Sequence, residues 1–451
     1  ICIKVIGMGR IFLNFLLGAG FLLMGTGVGG AVKDWPEWRG KGGMGHSEAL
    51  QVPLKWSEAE NVVWRTEIAG RGYSTPVVGD GKVWMTAAVE TEASEEDKKR
   101  RLEENTGGQP LTLLDKVSLR VVCVDLASGR LEHDIEVFEV KEPQWVHKLN
   151  SYASPSPVME EGLVYVHYGT FGTACLDVSG EKPVVVWRNN ELPVMHENGP
   201  GSTPVLVGSN VVFHADGSDL QFIVALDKKT GEIAWKTERS GEMNSNPQLK
   251  KAYGTPLVVE VEGKAQIVST GADWLYGYDP ETGKELWRMR YGRLGFSNVA
   301  RPVAGHGMVY FCSGFMRGAL IAVKIGSDGA EEVWSYTRNV PNIPSPVLVG
   351  GEIYMVGDEG GLVTCLDART GEAHWRERIE GGKYMASPTF AGGKIYFHGL
   401  EGTTTVLEPG KEFEVVAENH LEGKLNASGV FLDGMVLMRT EDALYRIGNG
   451  G

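Results

Sequence analysis

The chain has little basic charge, few cysteines and no recognisable catalytic signature. Its 44 Lys and Arg against 58 Asp and Glu leave a net charge of -14. That balance disfavours nucleic acid or anionic lipid as a partner, since either needs a basic face. Only five cysteines occur in 451 residues. Cys2 lies in an apolar N-terminal region, Cys123, Cys175 and Cys365 occupy matching or near-matching positions of a repeat, and Cys312 ends another apolar strand. Residues so placed do not meet within disulfide reach, so the four are read as small buried core residues. Nothing resembles a phosphate loop, a nucleophile elbow or a paired-cysteine zinc motif.

What is present is a repeat. VALDKKTGEIAW (residues 224–235) returns as GYDPETGKELW (277–287), CLDARTGEAHW (365–375) and CVDLASGRLEH (123–133), with looser copies ending at Trp187 and Trp334. Each reads as a hairpin: a short apolar strand, an Asp whose carboxylate accepts from backbone N–H groups two or three residues on, and a Gly supplying the positive φ of a G1 bulge. The return strand carries Trp64, Trp187, Trp235, Trp287, Trp334 or Trp375, read as packing between neighbouring units. A second hairpin lies upstream of each first one, anchored at Pro76, Pro157, Pro204, Pro256, Pro302, Pro346, Pro388 and Gly429. By subtraction these anchors are 81, 47, 52, 46, 44, 42 and 41 residues apart. Four antiparallel strands recurring every ~40 to 50 residues specify an all-β, eight-bladed β-propeller of four-stranded antiparallel blades.

Three segments fall outside the repeat. Lys4 and Arg10 precede an apolar run over 11–24 and small residues to Ala31, the layout of a signal peptide at 1–31; the uncharged stretch nearly reaches the ~20 residues of a membrane span, so an uncleaved N-terminal anchor is the competing reading. No Cys follows the run, so it does not look like a lipoprotein signal. A Gly-rich aromatic lead at 32–60, containing DWPEWRGKGGMGH, is expected to wrap over a face of the ring. The propeller occupies 61–451, with a charged insertion at 91–118 whose Glu-before-Lys/Arg spacing predicts a short solvated helix. The last repeat has three strands and no fourth, and NVVWRTEI (61–68) is a fourth strand without its hairpin; the two together close the ring and remove its open edge.

The two faces of such a ring differ. Turns within the hairpins are nearly all minimal on one face, whereas the other carries the crossings between blades, in which His147, Asn150, Tyr152, His196, Asn198, Asn298, Arg301 and Asn342 are the candidate ligand-binding residues around the pore mouth. Arg301 stands where most blades have Ser or Thr before the anchor Pro, and it either forks onto a ligand or pairs with a neighbouring acid. His167, His214 and His398 each fall ten residues after an anchor Pro; blades two, three and seven are too widely spread to bring them to one metal, so no metal site is expected.

The A-x-D-x-x-T-G-x-x-x-W hairpin at 225–235 and its relatives resemble the repeat of pyrroloquinoline-quinone (PQQ)-type propellers over most of 61–447. DWPEWRG, NSYASPSPV and GADWLYGYDP are most similar to secreted bacterial PQQ-binding-like proteins; the propeller subunit of the outer-membrane β-barrel assembly machinery and the quinoprotein alcohol dehydrogenases are more distant relatives. The dehydrogenase resemblance implies PQQ and calcium, held by acidic and amide oxygens such as those of Asp216, Asp273, Glu197, Asn198 and Asn298, and adjacent cysteines beside the quinone. No Cys-Cys pair exists here, and the oxygen ligands read as solvated loop side chains.

The expected protein is therefore a periplasmic or secreted, monomeric binding or scaffold module, with a protein or an envelope polymer as partner, no nucleic acid, no transmembrane domain after signal cleavage, no cofactor and no assigned catalysis. A PQQ-dependent dehydrogenase is the alternative, and a carbohydrate-active enzyme at the pore mouth the weaker one.

Overall fold

The computed structural model describes residues 3–5, 34–104, 111–292, 295–326 and 329–448. Apart from 3–5, the signal-peptide region lies outside the described residues; the backbone of Ile3–Val5 pairs antiparallel with Leu257–Val261. Eight antiparallel four-stranded sheets form the ring, the fourth of them extended by that pairing. Blade 1 comprises Val77–Gly79, Lys82–Glu92, Leu114–Asp125 and Leu131–Lys141. Blades 2 to 7 span 158–189, 205–238, 257–290, 303–336, 347–378 and 389–420. Blade 8 takes Val430–Leu432, Met435–Arg439 and Ala443–Gly448 from the C-terminal end and Val62–Glu67 from the other, in the register Val62 with Ile447 and Glu67 with Ala443. The ring is thus closed by strands distant in sequence, as the two incomplete repeats require.

The repeat hairpin shows why these residues were kept together. In blade 3 the Asp227 carboxylate accepts from the backbone N–H of Lys229 (2.9 Å) and Thr230 (3.0 Å), and Gly231, at φ +74°, donates to the Asp227 carbonyl. The register shift beside it, between Ala225 and Leu226, is the bulge. Gly231 is also required for packing, since a β-carbon there would fall 2.4 Å from the Trp187 ring of blade 2. The same flush stacking sets Trp64 on Gly129, Trp235 on Gly283 and Trp334 on Gly371. Each of these indoles also donates to the carbonyl just after the turn Asp, Trp64 to Leu126, Trp187 to Lys228, Trp235 to Pro280 and Trp334 to Ala368. Four of the eight blade interfaces are therefore locked by an aromatic ring on a glycine plus one directed hydrogen bond.

Around the channel runs a second lock. The residue before each anchor uses its hydroxyl to accept the backbone N–H of its counterpart in the preceding blade: Thr75 donates to Ser156, Ser156 to Thr203, Thr203 to Thr255, Arg301 to Ser345, Ser345 to Ser387, Ser387 to Ser428 and Ser428 to Thr75, at 2.9 to 3.1 Å. The eighth link would fall on Arg301, whose guanidinium has no acceptor to offer.

The segment before the first blade does more than wrap a face. Trp35 pairs antiparallel with Val78 and His46 pairs parallel with Phe390, both on innermost strands, so the backbone enters the channel from the minimal-turn face, turns at 40–45 and returns the same way. Gly40, Gly42, Gly43 and Gly45 all have positive φ. At its tip Arg39 Nη2 donates to the Pro346 carbonyl at 2.6 Å and Glu37 pairs with Arg301 at 3.3 Å. Beyond His46 the chain does cover the turn face of blades 7 and 8: Ala49 accepts from Gly392, Gln51 from Gly434, and Trp56 donates its backbone N–H to the Asn419 side chain.

The charged insertion contains the helix Glu95–Glu103, capped by the Ser94 hydroxyl, which accepts from the Asp97 N–H. Much of 91–118 is not helical, because the ladder between Lys82–Glu92 and Leu114–Asp125 continues through it. A short pairing of Leu111–Thr112 with Val146–His147 fastens the insertion to the first crossing. Among the described residues no helix is long and apolar enough to cross a membrane.

Candidate functional site

On the crossing face, the loops between blades 1 and 5 form one hydrogen-bonded system. Asn150 Nδ2 donates to the carbonyls of Asn198 (2.8 Å) and Pro200, Asn198 Nδ2 to the Tyr253 hydroxyl (3.0 Å), Tyr253 Oη to the His196 carbonyl (2.7 Å), and the Tyr253 N–H to the Asn298 carbonyl (2.7 Å). Asparagines suit this role because a single side chain both donates and accepts toward irregular backbone. Tyr253, missed in the sequence, is the hub.

The eight candidate residues divide by burial. Tyr152, His196, Asn298 and Arg301 are buried. Tyr152 donates to the Gln144 carbonyl, His196 packs edge-on against Phe171, and Arg301 holds Glu37 and the carbonyls of Pro256 and Trp38. Of the two roles open to Arg301, pairing with a neighbouring acid is the one realised. His147, Asn150, Asn198 and Asn342 are half-buried at the surface, where the Asn342 backbone and side chain both donate to Asp358.

An apolar rim on the same face had no signal in the repeat pattern. Phe315 and Met316, 51% and 63% exposed, cap the loop between Cys312 and Leu320, with Phe296 set edge-to-face on Phe315 at 5.9 Å. Met316 holds φ +72°, costly for a side chain of that bulk. Met195 (50% exposed) and Leu220 form a second knob, tied by the Met195 N–H donating to Asp219 at 2.8 Å, and Leu149 (66% exposed) stands by the first crossing. The turn face has Leu50 and Leu54, on the segment that covers it.

Two of the oxygen ligands that a quinone and calcium would draw on are engaged by cations of the chain itself. Asp216, expected as a solvated loop carboxylate, is buried and forked by Arg239 at 2.9 and 3.0 Å, and the Arg239 guanidinium lies over the rings of Tyr276 and Tyr278. Glu197 is engaged by the Lys251 ammonium at 3.0 Å. Among the described residues no three His, Cys, Asp or Glu side chains gather as metal ligands. His167, His214 and His398 each bond a different hydroxyl, of Thr173, Ser269 and Thr404; burial pushes the His167, His196 and His398 imidazoles down to about 3 and holds His214 well below its usual value. Burial pushes the thiols of Cys123, Cys175, Cys312 and Cys365 up to about 12, so all four are inert core groups.

A family model described as "Outer membrane protein assembly factor BamB" matches residues 55–237, 223–356 and 317–412. The chain belongs to this BamB family. It is 22% identical over 296 residues to the outer membrane protein assembly factor BamB of Yersinia pestis, covering 62% of this chain and 70% of that protein. For the BamB of Moranella endobia (strain PCIT) the figures are 23%, 54% and 59%, so the match spans little over half of that relative. Among solved structures, BamB from Moraxella catarrhalis superposes with a TM-score of 0.56 at 12% identity, covering 86% of this chain and 97% of that one. A europium-containing methanol dehydrogenase gives 0.58 at 12%, covering 91% and 90%. At these identities the structural likenesses speak to the fold alone.

Proposed function

We propose that this chain is a protein-binding scaffold of the cell envelope that takes part in outer-membrane protein assembly, with its partner docking on the crossing face. The observation that carries the reading is the set of exposed apolar side chains Leu149, Met195, Leu220, Phe315 and Met316 on the crossing-face loops. Aromatic and methionine side chains are enriched at interface cores, and a flexible thioether adapts to a partner's relief. The hydrogen-bonded crossings beneath hold that rim in place, which lowers the ordering cost of binding. Family membership supports a protein partner, and the names of its relatives support the envelope and the assembly pathway as the setting. No catalysis and no cofactor are part of this function.

Photo-crosslinking in intact envelopes tests it. A crosslinking residue at Phe315 should capture one discrete protein, and the same residue at Lys229, on the turn face, should capture none. Phe315→Ser with Met316→Ser should lose that partner at an unchanged Tm. Capture from Lys229 alone, or from neither position, overturns the assignment.

A further inference from the structure

The tip of the segment inside the channel places two guanidiniums beside a glycine turn with one carboxylate to serve both. Arg301 is 2% exposed and its charge is met by Glu37. Arg39 is 1% exposed; its Nη2 reaches the carbonyls of Pro346 and Met44, while Nε and Nη1 are buried without a partner. The two cations are close enough that burial first, and the Arg301 charge second, push the Arg39 guanidinium down to about 9. Glycines bring the turn against both groups: a β-carbon at Gly43 would fall 2.0 Å from Arg301 Cζ, and one at Gly45 would fall 2.5 Å from Arg39 Nη2. A buried guanidinium with unused donors and an uncompensated unit charge is destabilising, and the simplest remedy for the charge is a counter-ion on one of those donors.

We propose that the channel holds a small monovalent anion of the halide class, bound on Arg39 Nε or Nη1, which lie on opposite edges of the planar guanidinium so that one ion takes one of them. Size follows from burial, since a carboxylate or phosphate borne by a larger molecule has no path to a side chain that is 1% exposed. The charge follows from two arginines against one glutamate. Such an ion would bind only the folded protein, fixing the inserted segment in the ring, and would couple stability to halide concentration. The site does not depend on the docking face proposed above.

The full chain grown in crystals with bromide should show an anomalous peak within hydrogen-bonding distance of Arg39 Nε or Nη1. At constant ionic strength, replacing gluconate by chloride up to about 200 mM should raise the Tm by about 2 °C or more. Arg39→Gln should abolish that dependence. No bromide peak at Arg39, an equal Tm in both salts, or a chloride effect that survives in Arg39→Gln overturns the proposal. Should the variant fail to fold, the bromide map of the parent decides.

Discussion

Glu37 and Arg301, 264 positions apart in sequence, meet in the channel at 3.3 Å and fasten the segment before the first blade to the fifth. The arginine that makes this contact is also the one residue that interrupts the belt of hydroxyls around the channel. The belt thus gives up one hydrogen bond where a longer side chain reaches inward.

A double-mutant cycle measures that exchange. Glu37→Gln and Arg301→Thr should each destabilise, and their effects should be non-additive by about 1 to 3 kcal/mol in chemical denaturation, because the pair is largely out of water. Additive effects would mean that the contact contributes nothing.

The stacking of Trp on glycine should resist any β-carbon. At Gly283, φ is +70° and a β-carbon would lie 2.3 Å from Trp235. Gly283→Ala is therefore expected to cost about 2 to 4 kcal/mol, from backbone strain and the displaced ring together. Gly434, with open space at φ +76°, supplies the control; Gly434→Ala should cost only the strain, about 1 kcal/mol.

Ring closure can be tested by truncation. A chain beginning at Asn61 keeps Val62–Glu67 on Ala443–Gly448 but loses the segment in the channel, and should melt lower while staying monomeric. A chain beginning at Ala69 bares the Ala443–Gly448 edge and should associate, as size-exclusion chromatography with light scattering will show. Monomeric behaviour of both at the parent's Tm would contradict this closure.

Acid should unfold the ring through its buried imidazoles. For His167, His196 and His398 the folded value is about 3 against an ordinary value near 6.5, so between these pH values the unfolded chain binds protons that the folded chain refuses. Their contribution to stability is complete above pH 6.5 and declines as the pH falls toward 3. His398→Gln, keeping a donor and acceptor near Thr404, should flatten part of that decline in a Tm-against-pH profile.

Removing one partner of the Arg239–Asp216 pair should be worse than removing both. Arg239→Met leaves a buried carboxylate alone, with an expected loss of about 3 to 5 kcal/mol, and adding Asp216→Leu should restore part of it. If the double variant is the less stable, the pair's remaining bonds to Ser269 and Tyr278 matter more than its charge.

Much of the fold was legible in the sequence because a propeller blade is specified locally. An Asp, a Gly and a Trp at fixed spacing write one hairpin, and repetition writes the ring. The incomplete first and last repeats even told where the ring closes. The segment at 34–56 has no period, so only the assembled ring, whose channel must be filled, could show where it goes. The fate of Asp216 and Arg301 was equally hidden, since a buried ion pair and a solvated loop charge are written with the same letters. Sequence determined the blades, whose contacts are a few residues long; tertiary structure alone decided the partners of the charges, because those lie on elements that meet only when the circle is complete.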